Sequence, residues 1–243
     1  MTAAKLKPRE PAFELPYTTV DVVILSIRDG KLCVLLVKRP DSKSEPFPGR
    51  WALPGGFVDV ECDKDLESCA IRKLKEKTGV SSPYLEQLGS WGSADRDPRG
   101  WSATHVYLAL IPSIDVELVS GGNAPEAGWF EVGETGVSVK LAFDHKTLLS
   151  AALARVRSKV EYTSLPVHLV QEPFTLTDLQ RAYEIVLGRP VNKAAFRTRV
   201  LSANIVESTG EFRGGQARPA ELFRHARGHD EIAYFPRTFS PRS

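Results

Sequence analysis

Apolar residues along this chain follow a strand period in the first 145 residues and a helical period in most of what comes after. Thr18 to Ile27 is rich in β-branched residues and predicts a strand. Arg28-Asp29-Gly30-Lys31 predicts a tight turn, since Asp-Gly is the strongest short hairpin signal, and Leu32 to Lys38 is the return strand. Its centre, Val34 to Val37, is a short apolar run of buried-strand type. Pro40 to Arg50 is polar and reads as a loop. After Trp51-Ala52-Leu53-Pro54-Gly55-Gly56, Leu66 to Lys77 predicts a helix. Tyr84 to Ser93 and Ser102 to Ile111 predict strands separated by the charged loop Asp95-Arg96-Asp97-Pro98-Arg99, and Trp129-Phe130 ends another. From Phe143 to about Val160, Leu148, Leu149, Ala152, Leu153 and Val156 recur at helical spacing.

Residues 146–227 read differently. Thr175-Leu176-Thr177-Asp178 has capping-box form. Leu176, Leu179, Tyr183 and Val186 follow on one helical face, and Gly188 is a natural stop. After the turn Arg189-Pro190-Val191, Asn192 is a good N-cap for a second helix, Lys193 to Ala203. Two helices on so short a turn form a helix-turn-helix. Ile205 to Thr209 predicts a strand, Gly210 to Ala217 a hairpin tip, and Pro219 to Arg224 the paired strand. Helix, helix, strand, wing, strand is winged-helix order. The domains expected are therefore a flexible arm (1–16), a first domain (17–145), a winged helix (146–227) and a tail (228–243).

Hydrophobic residues make up 42% of the 243 and charged residues 26%, with a net charge of +2. No whole-protein field selects a partner, so any basic surface must arise by local clustering. It does so in the second half. Residues 193–227 carry seven Lys or Arg against three acids. Asn192, Lys193, Arg197 and Arg199 fall on the second helix, Arg213 and Arg218 on the wing, and Arg224 and Arg227 beyond it. Cations on a recognition helix and wing suit phosphate neutralisation and guanine readout, so these residues are the expected DNA contacts. The bland alternative is a solvated basic face or a protein-binding scaffold. No apolar run is long enough to span a bilayer. The three cysteines, Cys33, Cys62 and Cys69, fit reduced thiols better than a disulfide frame. A cytoplasmic, nucleoid-associated protein is expected.

Gly55-Gly56-Phe57-Val58-Asp59 and, after an acidic linker, Arg72-Lys73-Leu74-Lys75-Glu76-Lys77-Thr78-Gly79-Val80 closely resemble a Nudix box. In that family the helix reads Arg-Glu-hydrophobic-x-Glu-Glu-x-Gly-hydrophobic, and its glutamates hold Mg²⁺ against a diphosphate. Here Lys73 and Lys77 stand in two of those places and only Glu76 remains. Mg²⁺ requires hard oxygen ligands, whereas an ammonium repels the ion and donates where an acceptor is needed. The spacing from Gly56 to Arg72 is also longer than the family's. Lys64 falls where the upstream glutamate belongs, with Asp63, Asp65 or Glu67 available after a local shift. No metal site and no catalytic residue is expected.

The resemblance extends to Leu141-Ala142-Phe143-Asp144-His145 and to Gly214-Gly215-Gln216-Ala217-Arg218-Pro219-Ala220-Glu221-Leu222, which are similar to the NrtR family of Nudix-related transcriptional regulators of NAD metabolism. This resemblance implies an α+β protein: a Nudix-like mixed sheet sandwiched by helices, followed by a C-terminal winged helix. It further implies a homodimer that represses genes of NAD synthesis or salvage and releases operator DNA on binding ADP-ribose or a related nucleotide, with no cofactor required. The alternative is an active ADP-ribose pyrophosphatase with an accessory domain. A dinucleotide diphosphate needs cations and backbone N–H donors. Arg39, Arg50, Arg72, Arg96 and Arg99 are the expected cations, joined by Lys73 and Lys77 beside Glu76. Phe47 and Trp51 are expected to stack on adenine, and Gly55 and Gly56 to allow close backbone approach. Asp144 and His145 read either as a pH-sensitive pair or as a helix start.

Overall fold

The computed structural model describes residues 14–79, 84–112, 126–134, 136–214, 219–226 and 232–235, with Lys77 described in backbone only. Residues 1–13 of the expected arm, Val80, Arg218 and Arg227 lie outside the described residues.

β1 (Tyr17–Arg28) and β2 (Lys31–Lys38) form the expected hairpin, paired from Leu25–Val34 to Arg28–Lys31. Its turn places Asp29 at φ 49° and Gly30 at φ 73°, both left-handed, which is the demand that Asp-Gly meets. β1 also pairs in parallel with β6 (Ser102–Leu110), which pairs antiparallel with β5 (Tyr84–Ser93). β3 (Trp51–Ala52) and β7 (Glu126–Glu131) flank β2, and β4 (Gly55–Phe57) adds to β1. The sheet is mixed, with seven strands among the described residues.

Strand alternation assigns the two faces. Val20, Val22, Ile24, Tyr107 and Ala109 pack with Cys69, Ala70 and Leu74 of α1 (Leu66–Thr78). Val23, Leu25, Val106, Leu108 and Leu110 pack with Leu148, Leu149, Ala152, Leu153 and Val156 of α2 (His145–Val160). Asp65 caps α1 by accepting from the Ser68 N–H, and Gly79 ends it at φ 67°.

After α2 come a 3-10 turn (Leu165–Leu169), β8 (Phe174–Thr175), α3 (Leu176–Leu187), α4 (Lys193–Ser202), β9 (Val206–Arg213) and β10 (Ala220–His225). The Thr175–Asp178 capping box, the left-handed Gly188 stop and the Asn192 cap all form. β9 continues to Arg213, so the hairpin tip starts after that residue rather than at Gly210. Part of the expected tail is docked. Ser164 donates to the Ala233 carbonyl at 2.9 Å, Phe235 donates to the Tyr162 carbonyl at 2.7 Å, and Ala233 and Phe235 are buried. Two apolar side chains in that short stretch repay the ordering of its backbone.

No linker separates the two halves. The α2 face of the sheet belongs to one cluster of buried residues that continues through Leu165 and Phe174 to Tyr183, Phe196 and Phe223. Tyr183 is fully buried and donates its hydroxyl to the Thr163 carbonyl at 2.8 Å.

Candidate functional site

The glycine turn lies against β1. A Cβ on Gly55 would come within 2.1 Å of Asp21 Oδ1 and 2.6 Å of the Val20 carbonyl, so this glycine serves strand packing rather than approach to a ligand. Gly56, at φ 148°, faces the Lys73 ammonium, 3.3 Å from where its Cβ would be.

The helix residues of the motif are tied to one another. Arg72 grips Asp63 with two bonds, Nε to Oδ1 at 2.7 Å and Nη2 to Oδ2 at 2.6 Å, and reaches Glu76 at 2.9 Å. The Asp59 N–H adds a third bond to Asp63, at 2.8 Å. These bonds, the Arg72 guanidinium foremost, hold the Asp63 carboxyl far below the usual carboxylate range despite its burial. Asp65 is spent as a cap. Lys73 Nζ lies 3.8 Å from Glu76. No three His, Cys, Asp or Glu among the described residues are grouped to hold a metal. The Lys77 side chain lies outside the described residues.

Arg39 donates to the Pro46 carbonyl and to Glu45, both at 2.6 Å, and stacks over Phe143 at 4.8 Å. Burial lowers its pKa. Phe47 is not an open face. It meets Phe143 edge-on at 4.8 Å, and Arg50, itself exposed, lies over its ring at 5.5 Å. Trp51 is likewise engaged, packed against Phe130 at 4.6 Å with the Lys38 ammonium 5.8 Å from its ring. Both aromatics expected to stack on adenine are thus half-buried and in contact with neighbouring aromatic and basic side chains.

Arg96 departs from the expectation of a solvent-facing or phosphate-facing cation. Its side chain is 5% exposed and donates to Asp144 at 3.1 and 3.0 Å and to Ser102 at 3.2 Å, with Asp21 at 3.7 Å. Thr104 donates to Asp21 at 2.7 Å. Asp144 therefore makes no side-chain helix cap. His145 is no pH-sensitive pair with it. Its Nδ1 accepts the Leu53 N–H at 2.9 Å, and burial, outweighing the neighbouring carboxylates, pushes its pKa down. The ring is neutral at neutral pH. The sequence reading missed Asp21, although an isolated acid inside the run Thr19-Val20-Asp21-Val22-Val23 is the signal that marks it. Arg99 is held by Asp97 at 3.0 and 2.8 Å, which raises its pKa.

Two concavities lie elsewhere and contain none of these residues. One, about 560 Å³, runs between β5 and α2 past Trp91 and Tyr162, where Arg155 and Lys159 are committed to Glu86 at 2.5 and 2.8 Å. The other, about 490 Å³, is where Gly30 meets Arg181, Glu184 and Ile185.

In the second domain, Phe196 and Val200 bury α4 against α3, leaving Lys193, Ala194, Ala195, Arg197 and Thr198 exposed. Asn192 is the cap, its Oδ1 accepting from the Ala195 N–H at 3.0 Å. Lys193 and Arg197 make no ion pair among the described residues. Arg199 shares the face of Phe196, three residues away. Its guanidinium sits over Phe235 at 5.7 Å and burial lowers its pKa, so it does not face outward as expected. Arg213 bonds Asp178 at 2.8 Å, and Arg224 bonds Glu207 at 2.6 Å. Both remain more than half exposed.

A diphosphate-hydrolase-like scaffold, fused through a shared core to an outward-facing helix-turn-helix and wing, defines a class of two-domain regulators. Comparison with known proteins bears out that class. Residues 17–152 match the NUDIX domain, and residues 166–225 match the NrtR DNA-binding winged helix domain. The ADPR responsive transcriptional repressor NtrR of Acinetobacter baylyi is 46% identical over 211 residues, which cover 87% of this chain and 82% of that one. The crystal structure of Shewanella oneidensis NrtR complexed with a 27mer DNA superposes with TM-score 0.83 at 38% identity, covering 92% of this chain and 99% of that one. The NUDIX domain of the same protein complexed with ADP ribose gives TM-score 0.55 at 40% identity, covering 64% of this chain and 99% of that one. The chain belongs to the NrtR family. Its fold is a Nudix mixed sheet between helices followed by a winged helix. Among the described residues no helix is long and apolar enough to cross a membrane.

Proposed function

We propose that this protein is a cytoplasmic transcriptional repressor of NAD synthesis or salvage genes that binds operator DNA through its winged helix and releases it on binding intact ADP-ribose. The observation that carries the reading is the pairing of two features in one core: a Nudix helix with Lys73 and Lys77 in place of metal-binding glutamates, and a winged helix with Lys193 and Arg197 exposed on its second helix. An ammonium in the place of a carboxylate removes an Mg²⁺ ligand and supplies a phosphate donor. The domain then binds a diphosphate without cleaving it.

Lys73 and the Gly56 backbone line the diphosphate site, and Arg39 and Arg99, oriented by Glu45 and Asp97, add positive charge beside it. Arg50 lies at the rim, and Arg72 with Glu76 braces the helix. Lys193, Arg197 and Thr198 face the major groove, with Arg213 and Arg224 near the phosphates. Phe143, left-handed at φ 51°, lies under Arg39 and against Phe47 one residue before Asp144, which Arg96 grips. A shift of the loop 39–50 on binding nucleotide is thereby passed to the start of α2, and α2 shares its core with the DNA reader. In a homodimer the two readers must match half-sites about 34–36 Å apart. A ligand that favours another spacing releases DNA through its differential affinity for the two states.

The test is to titrate ADP-ribose, with and without Mg²⁺, into the protein bound to labelled DNA from its own upstream region, following anisotropy and the chemical fate of the nucleotide. DNA release with intact nucleotide is expected. Cleavage to AMP and ribose phosphate would overturn the loss of catalysis, and absence of DNA binding at low salt would overturn the reader. Asp144→Asn is expected to keep both affinities and weaken the coupling between them.

A further inference from the structure

Beyond the wing the chain returns to the joint between its two domains. Residues 232–235 run beside residues 162–164, which follow the end of α2, and Thr163 and Tyr234 form an antiparallel bridge. The Ala233 N–H donates to Ser164 Oγ at 2.9 Å, the Ser164 N–H to the Ala233 carbonyl at 2.9 Å, and the Phe235 N–H to the Tyr162 carbonyl at 2.7 Å. The Tyr162 and Tyr234 rings stack with centroids 6.2 Å apart. The receiving residues are tied to both neighbouring helices. The Thr163 hydroxyl donates to the Lys159 carbonyl of α2 at 2.6 Å, and the Thr163 carbonyl accepts the Tyr183 hydroxyl of α3 at 2.8 Å.

The same stretch meets α4 on its other side. Phe235, 6% exposed, lies 6.5 Å from the Tyr183 ring, and Tyr183 meets Phe196 of α4 edge-on at 5.2 Å. The Arg199 guanidinium of α4 sits over the Phe235 ring at 5.7 Å. Only Phe196 and Val200 of this ten-residue helix are buried, and they stand one turn apart on a single line. Two anchors in line fix where a helix sits but leave its roll about that line loose. Arg199 lies to one side of the line, so its seat on Phe235 supplies the third point. A guanidinium turned inward gives up hydration, and the aromatic face offsets that loss.

We propose that residues 232–235 form a strap that sets the roll of α4 against the end of α2, with Phe235 a positioning residue that acts through Arg199. The inference rests on the DNA-reader assignment above and adds what orients the reading helix. Lys193 and Arg197 lie on the exposed side of α4, so a roll of the helix displaces both from the base edges they address. Because the strap is bonded to residues 162–164, the reading helix follows the end of α2 as well as α3.

Anisotropy of the full chain with labelled DNA from its own upstream region tests the strap. Phe235→Leu keeps an apolar side chain without the ring, and Phe235→Tyr restores the ring. Phe235→Leu is expected to weaken DNA binding about fivefold, the size of one partly buried cation–π contact, with ADP-ribose affinity unchanged, while Phe235→Tyr stays near the parent. Arg199→Met is expected to give a similar loss with the salt slope of the parent, and the double variant to bind no more weakly than either single one. Melting curves check folding, and Arg199→Met, at a half-buried position, decides the matter if Phe235→Leu does not fold. Unchanged DNA affinity in these variants overturns the strap and leaves the DNA reader standing. A salt slope lowered by about one in Arg199→Met, or losses that add in the double variant, makes Arg199 a phosphate contact and overturns the strap. Parallel loss of DNA and nucleotide affinity makes Phe235 a filler of the shared core and overturns it too. No DNA binding by the parent at low salt overturns the reader and the strap together.

Discussion

Replacing Asp63 with asparagine separates a structural brace from a metal ligand. The Asp63 side chain is 1% exposed and accepts two bonds from Arg72 and one from the Asp59 N–H. Asparagine keeps the volume but loses the charge, and it turns one of those acceptors into a donor aimed at a guanidinium or an N–H. Breaking a buried pair costs about 3–5 kcal/mol. Arg72 is 28% exposed and keeps Glu76 as a partner, so solvent screening brings the expected loss to about 2–3 kcal/mol. For a chain of this length that is on the order of 5–10 °C in Tm. The carboxyl is depressed in the folded state, so its contribution is complete above the unfolded carboxylate pKa and is lost as pH falls below it. The gap between parent and Asp63→Asn is therefore level at neutral pH and narrows below about pH 4. Thermal melts across pH, with and without Mg²⁺, provide the measurement. If the variant melts with the parent, or if Mg²⁺ raises the parent's Tm and Asp63→Asn abolishes that rise, Asp63 is not a brace.

Arg197→Ala is expected to weaken operator binding and lower the salt slope by about one without altering nucleotide affinity, as fluorescence anisotropy at several salt concentrations would reveal. Phe196→Ala, at a fully buried position, is expected to cost about 3–5 kcal/mol by urea denaturation. A smaller loss would mean that α4 is not anchored through this ring. Because burial lowers the His145 pKa, the unfolded chain takes up its proton first on acidification, so stability falls as pH drops through about 6.5. A His145 ring resonance that titrates at that pH would contradict its burial as a neutral acceptor. Of the three thiols, only Cys62 is exposed, while burial pushes Cys69 up to about 12. Mass spectrometry after brief alkylation of the native protein should find Cys62 modified and Cys69 intact.

The strands, hairpin turn, capping box and helix stops were legible because each depends on local chemistry: Asp29-Gly30 on two left-handed positions, Thr175 and Asp178 on reciprocal bonds, Gly188 on a left-handed cap. The two- and three-residue strands at Trp51, Gly55 and Phe174 have no local signal, since pairing with distant strands creates them. The site was less legible for the same reason. Arg96 occupies a charged loop and looks solvated, yet Asp21 and Asp144 draw it inward from far along the chain. Arg199 looks like a recognition-helix cation, yet its helical phase turns it toward Phe235. The sequence names which residues are charged, but long-range packing decides which of those charges meet water.

The core that runs unbroken from the sheet through α2 to Phe223 limits how this protein can be taken apart. Heat or urea should melt it in one transition, and a cut near residue 152 should leave the winged-helix piece with an uncovered apolar face, even though the corresponding NUDIX domain of Shewanella oneidensis NrtR holds ADP ribose by itself. By the same constraint, grafting this sensor onto a foreign DNA reader would require transplanting α2 together with everything it touches. Recombination is therefore more apt to inherit the pair whole than to shuffle its parts.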